Sequence, residues 1–116
     1  MTAAKSILIL EDEPLIAMML EDFLDALGHS VAATADSVAS AQDAIATTTV
    51  DAAILDLNLR GGETSAPIAD ALAERGIPFL FATGGSGDGI PDRHAGRPTV
   101  GKPFTMDAIE QALSGL

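Results

Sequence analysis

The stretch ILDLNL, residues 54–59, places a carboxylate against an apolar run. Asp56 directly follows the residues Ala52 to Leu55, which are all apolar and typical of a strand inside a sheet. An ionised carboxylate in an apolar setting is unstable unless it reaches solvent or meets a positive charge. We therefore expect Asp56 to lie at the end of a buried strand, beside a cationic group supplied by another part of the chain.

Apolar runs and helical patterns alternate along the rest of the chain. Short, continuously apolar strands are typical of parallel sheets that helices cover on both faces, because the crossovers are right-handed. The prediction is an α/β fold of the flavodoxin-like type, a doubly wound parallel sheet with strand order 2-1-3-4-5. We place strands at residues 6–10, 31–35, 52–55, 79–82 and 99–101, and helices at residues 14–27, 37–46, about 65–75 and 106–113.

The segment between the fourth and fifth strands interrupts this alternation. Residues 84–98, GGSGDGIPDRHAGRP, contain five glycines and two prolines, which both disfavour helix interiors. We therefore expect the fourth helix to be weak, disordered or absent. The glycines at 85, 87 and 89 also suggest a nucleotide-binding loop, but they lack the lysine of a P-loop.

Length and charge limit the classes of function. The chain has 116 residues, so we expect one domain, residues 1–116, without an output domain. A net charge of −11 argues against binding to nucleic acid or to anionic membranes. The absence of cysteine excludes a thiolate zinc site and a cysteine nucleophile. No signal peptide or long apolar span is evident, so the expected location is the cytoplasm.

Polar side chains follow four of the five predicted strands. Glu11 and Asp12 follow the first strand, Asp56 the third, Thr83 the fourth and Lys102 the fifth. The carboxyl ends of parallel strands meet at one edge of the sheet, where such folds bind ligands. The fifth strand lies roughly 10 Å from the third in the predicted order, a distance that a lysine side chain can cross.

These residue types indicate phosphoryl transfer. Converging carboxylates repel one another unless a divalent cation joins them, and Mg²⁺ prefers oxygen ligands. An ionised Asp56 beside a metal and the Lys102 ammonium can attack phosphorus. Thr83 and Lys102 can each contact a phosphoryl oxygen, and Mg²⁺ a further one.

The segments ILILEDE, ILDLNL, FATG and GKPF together resemble the receiver domain of two-component response regulators, over the whole chain. The resemblance implies that Asp56 accepts a phosphoryl group from a histidine kinase. It further implies that Glu11, Asp12 and Asp56 bind Mg²⁺, with a further ligand from the backbone carbonyl of Asn58.

The resemblance also assigns Thr83 and Lys102 to the phosphoryl group and implies a cis peptide bond between Lys102 and Pro103. Thr99 departs from the family, because receivers usually carry an aromatic switch residue three positions before the lysine. Residues 78–84, PFLFATG, are similar to the signature of the FAT GUY receivers, single-domain regulators that pair with kinases of the HWE type. For that subgroup, ordering of the segment 84–98 is the expected switch.

The expected partners are a histidine kinase, of the HWE type, or a phosphotransfer protein, and a downstream protein. The chain then signals by contact or acts as a phosphate shuttle or sink, and it catalyses only its own phosphorylation and dephosphorylation. One alternative is an adaptor that is never phosphorylated. Another is a small haloacid-dehalogenase-like phosphatase, but that family needs a second aspartate where Asn58 stands.

Simpler interpretations apply to several single residues. Asp56 alone is compatible with a turn cap, and only the full set of strand ends favours a phosphoacceptor. His29 and His94 lack metal-ligand spacing and are interpreted as ordinary turn and loop residues. Met18 and Met19 are interpreted as core or as a kinase-facing surface.

Overall fold

The computed structural model describes residues 4–84 and 89–116. Its elements alternate along the chain as the sequence predicts, with boundaries within one or two residues of the predicted ones. The strands are β1 Ser6–Leu10, β2 Ser30–Ala35, β3 Ala52–Asp56, β4 Phe79–Thr83 and β5 Thr99–Gly101, and the helices are α1 Pro14–Ala26, α2 Val38–Thr47, α3 Ala66–Glu74 and α4 Met106–Ser114.

The five strands form one parallel sheet in the order β2-β1-β3-β4-β5, which confirms the predicted flavodoxin-like fold. In this register Leu10 pairs with Leu55, and Asp56 pairs with Ala82. The residues that follow β1, β3 and β4 therefore emerge at the same edge. Since β3 is the central strand, its last residue lies between the ends of two neighbours.

Local sequence accounts for the helix ends. Ser37 and Ser40 form a capping box at the start of α2, and Thr105 accepts a hydrogen bond from the Ala108 N–H at the start of α4. After α1 and α3 the chain reverses through Gly28 and Gly76, whose φ angles of +85° and +70° favour glycine.

The sheet separates two apolar clusters. Successive residues of a strand point to opposite faces, so Phe79 and Phe81 pack beside α2 and α3, whereas Leu80 packs beside α1 and α4. Every residue of β3 and β4 is buried, which explains why both strands are continuously apolar until their last residue. Each fully buried leucine, isoleucine or phenylalanine side chain contributes about 1.5 to 3 kcal/mol before entropy is counted.

The connection between β4 and β5 departs from the helical pattern, as predicted. Among its described residues, 84 and 89–98, the only regular element is a 3₁₀ turn at Asp92–His94. The possible nucleotide loop involving Gly85 and Gly87 lies outside the described residues. Within the described parts of the chain, every helix is too short or too polar to span a bilayer.

Candidate functional site

Three carboxylates meet at the carboxyl edge of the sheet. Asp56 ends β3 and is 6% exposed, and Glu11, directly after β1, is 2% exposed. Asp12 is half-buried beside them. One oxygen atom from each of the three residues lies within 4.8 Å of the other two. This spacing and the all-oxygen donor set fit a divalent cation such as Mg²⁺.

Lys102 supplies the positive charge that Asp56 was expected to need. Its Nζ atom lies 3.1 Å from Asp56 Oδ2 and 3.2 Å from Glu11 Oε2. The lysine side chain therefore spans the distance from β5 to β3, as its length suggested. Its backbone N–H donates to the Thr83 carbonyl at 2.8 Å, and the Lys102–Pro103 peptide bond is cis.

The close approach of these charges shifts the pKa values of Glu11 and Lys102. Burial, followed by the charge of Asp56 and a hydrogen bond with it, raises the pKa of Glu11 from 4.5 to about 7, against the opposing effect of Lys102. Burial lowers the pKa of Lys102, but hydrogen bonds and charges from Asp56 and Glu11 outweigh burial and leave that pKa above its ordinary value. Near neutral pH, Glu11 therefore exchanges a proton while Lys102 stays charged.

Two further predicted site residues lie at the same edge. Thr83 ends β4, is buried, and follows Ala82, the residue that pairs with Asp56. Asn58 is exposed two residues beyond β3 and forms an isolated bridge with Thr64. Their contacts with a phosphoryl group and with Mg²⁺ stay predictions.

A cleft of about 610 Å³ opens over the carboxylates. Leu15, which lines the cleft, is 80% exposed, whereas Asp56, also in the lining, is 6% exposed. Met18 on the same helix is exposed, and Met19 is half-buried against the core. The contact of this surface with a kinase stays a prediction. The lining combines acidic and apolar side chains with one lysine: Asp12, Glu13, Pro14, Leu15, Asp56, Asn58, Leu59, Gly84 and Lys102.

A second charged group, which we call the Asp70 clamp, consists of Asp70, Arg93 and His94. Arg93 donates to both carboxylate oxygens of Asp70, at 2.7 and 2.9 Å, and His94 Nε2 lies 2.8 Å from Asp70 Oδ1. Hydrogen bonds from Arg93 and then from His94 lower the pKa of Asp70 to about 2, and Asp70 in turn raises the pKa of Arg93.

Both histidines lie in turn and loop segments, as interpreted, but both are also buried. His94 is only 4% exposed, because its ring packs edge-on against Phe79 at 5.4 Å. His29 is 8% exposed, and its Nδ1 accepts a hydrogen bond from the Lys5 N–H. Sequence spacing could not reveal these environments, since Lys5 and His29 are 24 residues apart, as are Asp70 and His94.

Thr99 carries no ring and is exposed at the start of β5. The position where receivers usually place an aromatic switch therefore contributes no packing to the core. The imidazole of His94, in the same β4–β5 connection, instead packs on the side chains of β4.

No protein-family model and no curated protein matches the chain. Solved structures do match it. The solution structure of SdrG from Sphingomonas melonis Fr1 is 57% identical, with 98% of this chain and 97% of that chain covered and a TM-score of 0.87. The BeF3-activated conformation of SdrG from Pseudomonas melonis Fr1 gives the same identity and coverage and a TM-score of 0.83. The PhyR response regulator REC domain from Erythrobacter litoralis is 32% identical, with 97% and 89% covered and a TM-score of 0.82.

Proposed function

The chain belongs to the receiver domains of two-component response regulators, and from this premise we propose that a histidine kinase phosphorylates it on Asp56. The observation that carries the proposal is the position of the Lys102 ammonium, 3.1 Å from a carboxylate that lies within 4.8 Å of two further acids. A strand-end aspartate that only capped a turn would need neither the lysine nor the other acids.

In the proposed reaction, one carboxylate oxygen of Asp56 forms a bond to phosphorus while the P–N bond of phosphohistidine breaks. The imidazole of the kinase leaves with the electron pair of that bond. Lys102 would stabilise the negative charge that spreads over the phosphoryl oxygens, and Thr83 would donate a hydrogen bond to one of them. The chain acts only on its own phosphoryl group, which water later removes, so we do not class it as an enzyme.

Mg²⁺ belongs to the same proposal. Glu11, Asp12 and Asp56 would hold it together with the backbone carbonyl of Asn58. The bound cation would supply positive charge to the phosphoryl oxygens. Because the three acids already lie together, binding the cation relieves a repulsion that exists in the folded protein.

The partners follow from the reaction class. The kinase, which we expect to be of the HWE type, donates the phosphoryl group in the cytoplasm. We further propose that the domain acts by contact with a downstream protein or passes the group onward as a shuttle or sink. BeF3 is a mimic of the phosphoryl group, and the BeF3-activated structure of SdrG supports the expectation that this chain has a second conformation.

A titration with beryllofluoride tests the proposal. We expect the backbone NMR signals of Asp56, Thr83 and residues 89–98 to shift with beryllofluoride when Mg²⁺ is present, and not to shift without Mg²⁺. Asp56→Asn should abolish the response, while Asp43→Asn, a matched change of an exposed aspartate on α2, should keep it. An unresponsive wild type, or an equal response in Asp56→Asn, would exclude Asp56 as the phosphoacceptor.

A further inference from the structure

We infer that the Asp70 clamp is a latch that holds the β4–β5 connection in the arrangement of the unphosphorylated protein and thereby opposes phosphoryl binding at Asp56. This inference rests on the proposed function and adds a regulatory role for Asp70, Arg93 and His94.

The clamp joins two elements that the sheet does not join. Asp70 lies on α3, and the two residues that bind it lie on the 3₁₀ turn in the β4–β5 connection. A third contact holds the same segment, because the Arg97 guanidinium lies 4.2 Å from the centre of the Phe79 ring. The connection is therefore tied to α3 by charge and to β4 by ring packing.

The tied connection begins and ends at the functional site. It leaves β4 at Thr83 and returns through β5 to Lys102, and the Lys102 N–H donates to the Thr83 carbonyl. The His94 ring also packs at 6.3 Å from the ring of Phe81, two residues before Thr83 on the same strand. Since residues 92–98 lead directly into β5 and Lys102, we expect a shift of Lys102 toward a phosphoryl group to strain the contacts of the clamp.

The closed arrangement of the clamp has a free-energy cost. Among the described residues, the Nδ1 atom of His94 is buried and has no hydrogen-bond partner. Buried polar atoms are usually satisfied, so this arrangement loses a hydrogen bond that solvent would provide if the ring swung out. Arg93 and Asp70 are 57% and 43% exposed, which keeps their ion pair weak. We therefore expect the contacts of the Asp70 clamp to open without unfolding of the core.

Linkage determines the sign of the effect. A ligand binds more tightly when a contact is removed that exists only in the state with lower affinity for the ligand. If the clamp opens when the phosphoryl group binds, breaking it in advance favours the binding-competent state. If the clamp only supports the fold, its removal gives no gain in affinity for the phosphoryl group. It instead loosens the segment that leads into β5 and Lys102.

Two variants break the clamp in different ways. Asp70→Ala removes the carboxylate that both nitrogen donors share. Arg93→Gln removes the guanidinium that donates to both carboxylate oxygens of Asp70 and leaves the buried His94 ring in place, so it tests the latch even if Asp70→Ala fails to fold. Asp43→Ala is the matched control, since it removes an exposed helical aspartate with the same gain in helix propensity and the same change of net charge.

The measurement is the beryllofluoride concentration at half-saturation with excess Mg²⁺, followed by the amide signals of Gly84 and Lys102. We expect Asp70→Ala and Arg93→Gln to lower this concentration about fivefold, the lower end of typical coupling between two sites. The same signals in the free variants should move toward their beryllofluoride-bound positions. Asp43→Ala should match the wild type.

Each remaining outcome is decisive. If the wild type responds but both folded clamp variants bind equally or more weakly, the latch is wrong and the proposed function stands. If Asp43→Ala binds as tightly as the clamp variants, the gain is a general effect of charge and the latch is wrong. A wild type without any response removes the proposed function, and with it the second state that the latch would oppose.

Discussion

The carboxyl-edge site, which consists of Glu11, Asp12, Asp56 and Lys102, and the Asp70 clamp each bring an acid to within hydrogen-bond distance of a cation. The pKa values of the two acids, Glu11 and Asp70, nevertheless shift in opposite directions. Lys102 lies 3.2 Å from Glu11, and Arg93 lies 2.7 Å from Asp70. The pKa of Glu11 nevertheless rises to about 7, whereas that of Asp70 falls to about 2. Glu11 is buried beside a second carboxylate, and Asp70 stands partly in solvent between two nitrogen donors. Burial and like charge therefore outweigh a single cationic neighbour.

Removing the charge of Glu11 should have the largest effect among the tests of this contrast. The folded-state pKa of Glu11 lies above its unfolded value, so the ionised side chain destabilises the folded protein above about pH 7. We expect Glu11→Gln, without Mg²⁺ at pH 8, to raise the free energy of unfolding by on the order of 2 kcal/mol, after a discount for solvent in the cleft. The gain should vanish as the pH falls toward 4.5. Urea denaturation at several pH values measures it, and an equal gain at pH 8 and pH 4.5 would contradict the shifted pKa.

The affinity for Mg²⁺ gives a second, smaller effect. Glu11 must lose its proton to act as a ligand, so affinity should decrease as the pH falls through about 7. As the pH falls from 7.5 to 6, we expect the dissociation constant for Mg²⁺ to increase roughly tenfold, because one proton competes with the cation. Calorimetric titration with MgCl₂ in buffers of different ionisation enthalpy should also detect the released proton. A constant affinity over this range would show that Glu11 is not a ligand or is not protonated.

The clamp should give the smallest effect, with the opposite sign. The depressed pKa of Asp70 means that its charge stabilises the folded protein above about pH 3.8, and that this contribution is lost as the pH falls toward 2. Asp70→Asn should therefore lower the melting temperature at pH 7 by about 1 to 3 °C, as expected for an exposed ion pair. Thermal scans by circular dichroism measure the change.

Salt sharpens the same contrast. In 1 M NaCl the effect of Asp70→Asn should shrink, because the clamp is exposed to screening ions, while the effect of Glu11→Gln should largely persist. Asp43→Asn serves as the control for a general change in surface charge. Equal sensitivity to salt at both sites would mean that the buried site is more open to solvent than its contacts indicate.

The sequence predicts which side chains meet at the carboxyl edge, because the carboxyl ends of parallel strands lie at one edge of the sheet. Once β1, β3, β4 and β5 are recognised, their last residues must meet, and the length of the Lys102 side chain covers the remaining gap. The fold could be predicted because β1, β3 and β4 are mostly apolar runs and the helix ends are recognisable: α2 and α4 begin at side-chain caps, and α1 and α3 are followed by Gly28 and Gly76.

The Asp70 clamp could not be predicted in this way. Asp70 lies on the surface of a helix, and Arg93 and His94 lie in a segment without a repeating pattern. No register relates the two elements, so their contact depends on how far the 3₁₀ turn folds back over Phe79. A buried imidazole has no sequence signature when neither metal spacing nor a helical period marks it.

The central strand β3 has one more consequence. All five of its residues are buried, and close-packed interiors resist displacement. We therefore expect the backbone of the strand that carries Asp56 to move little. A bulky group added to its tip can be accommodated only by movement of the surrounding loops. Substitutions intended to change the response to phosphorylation should therefore be made in the loops around the cleft, where we expect them to perturb the packing of the sheet least.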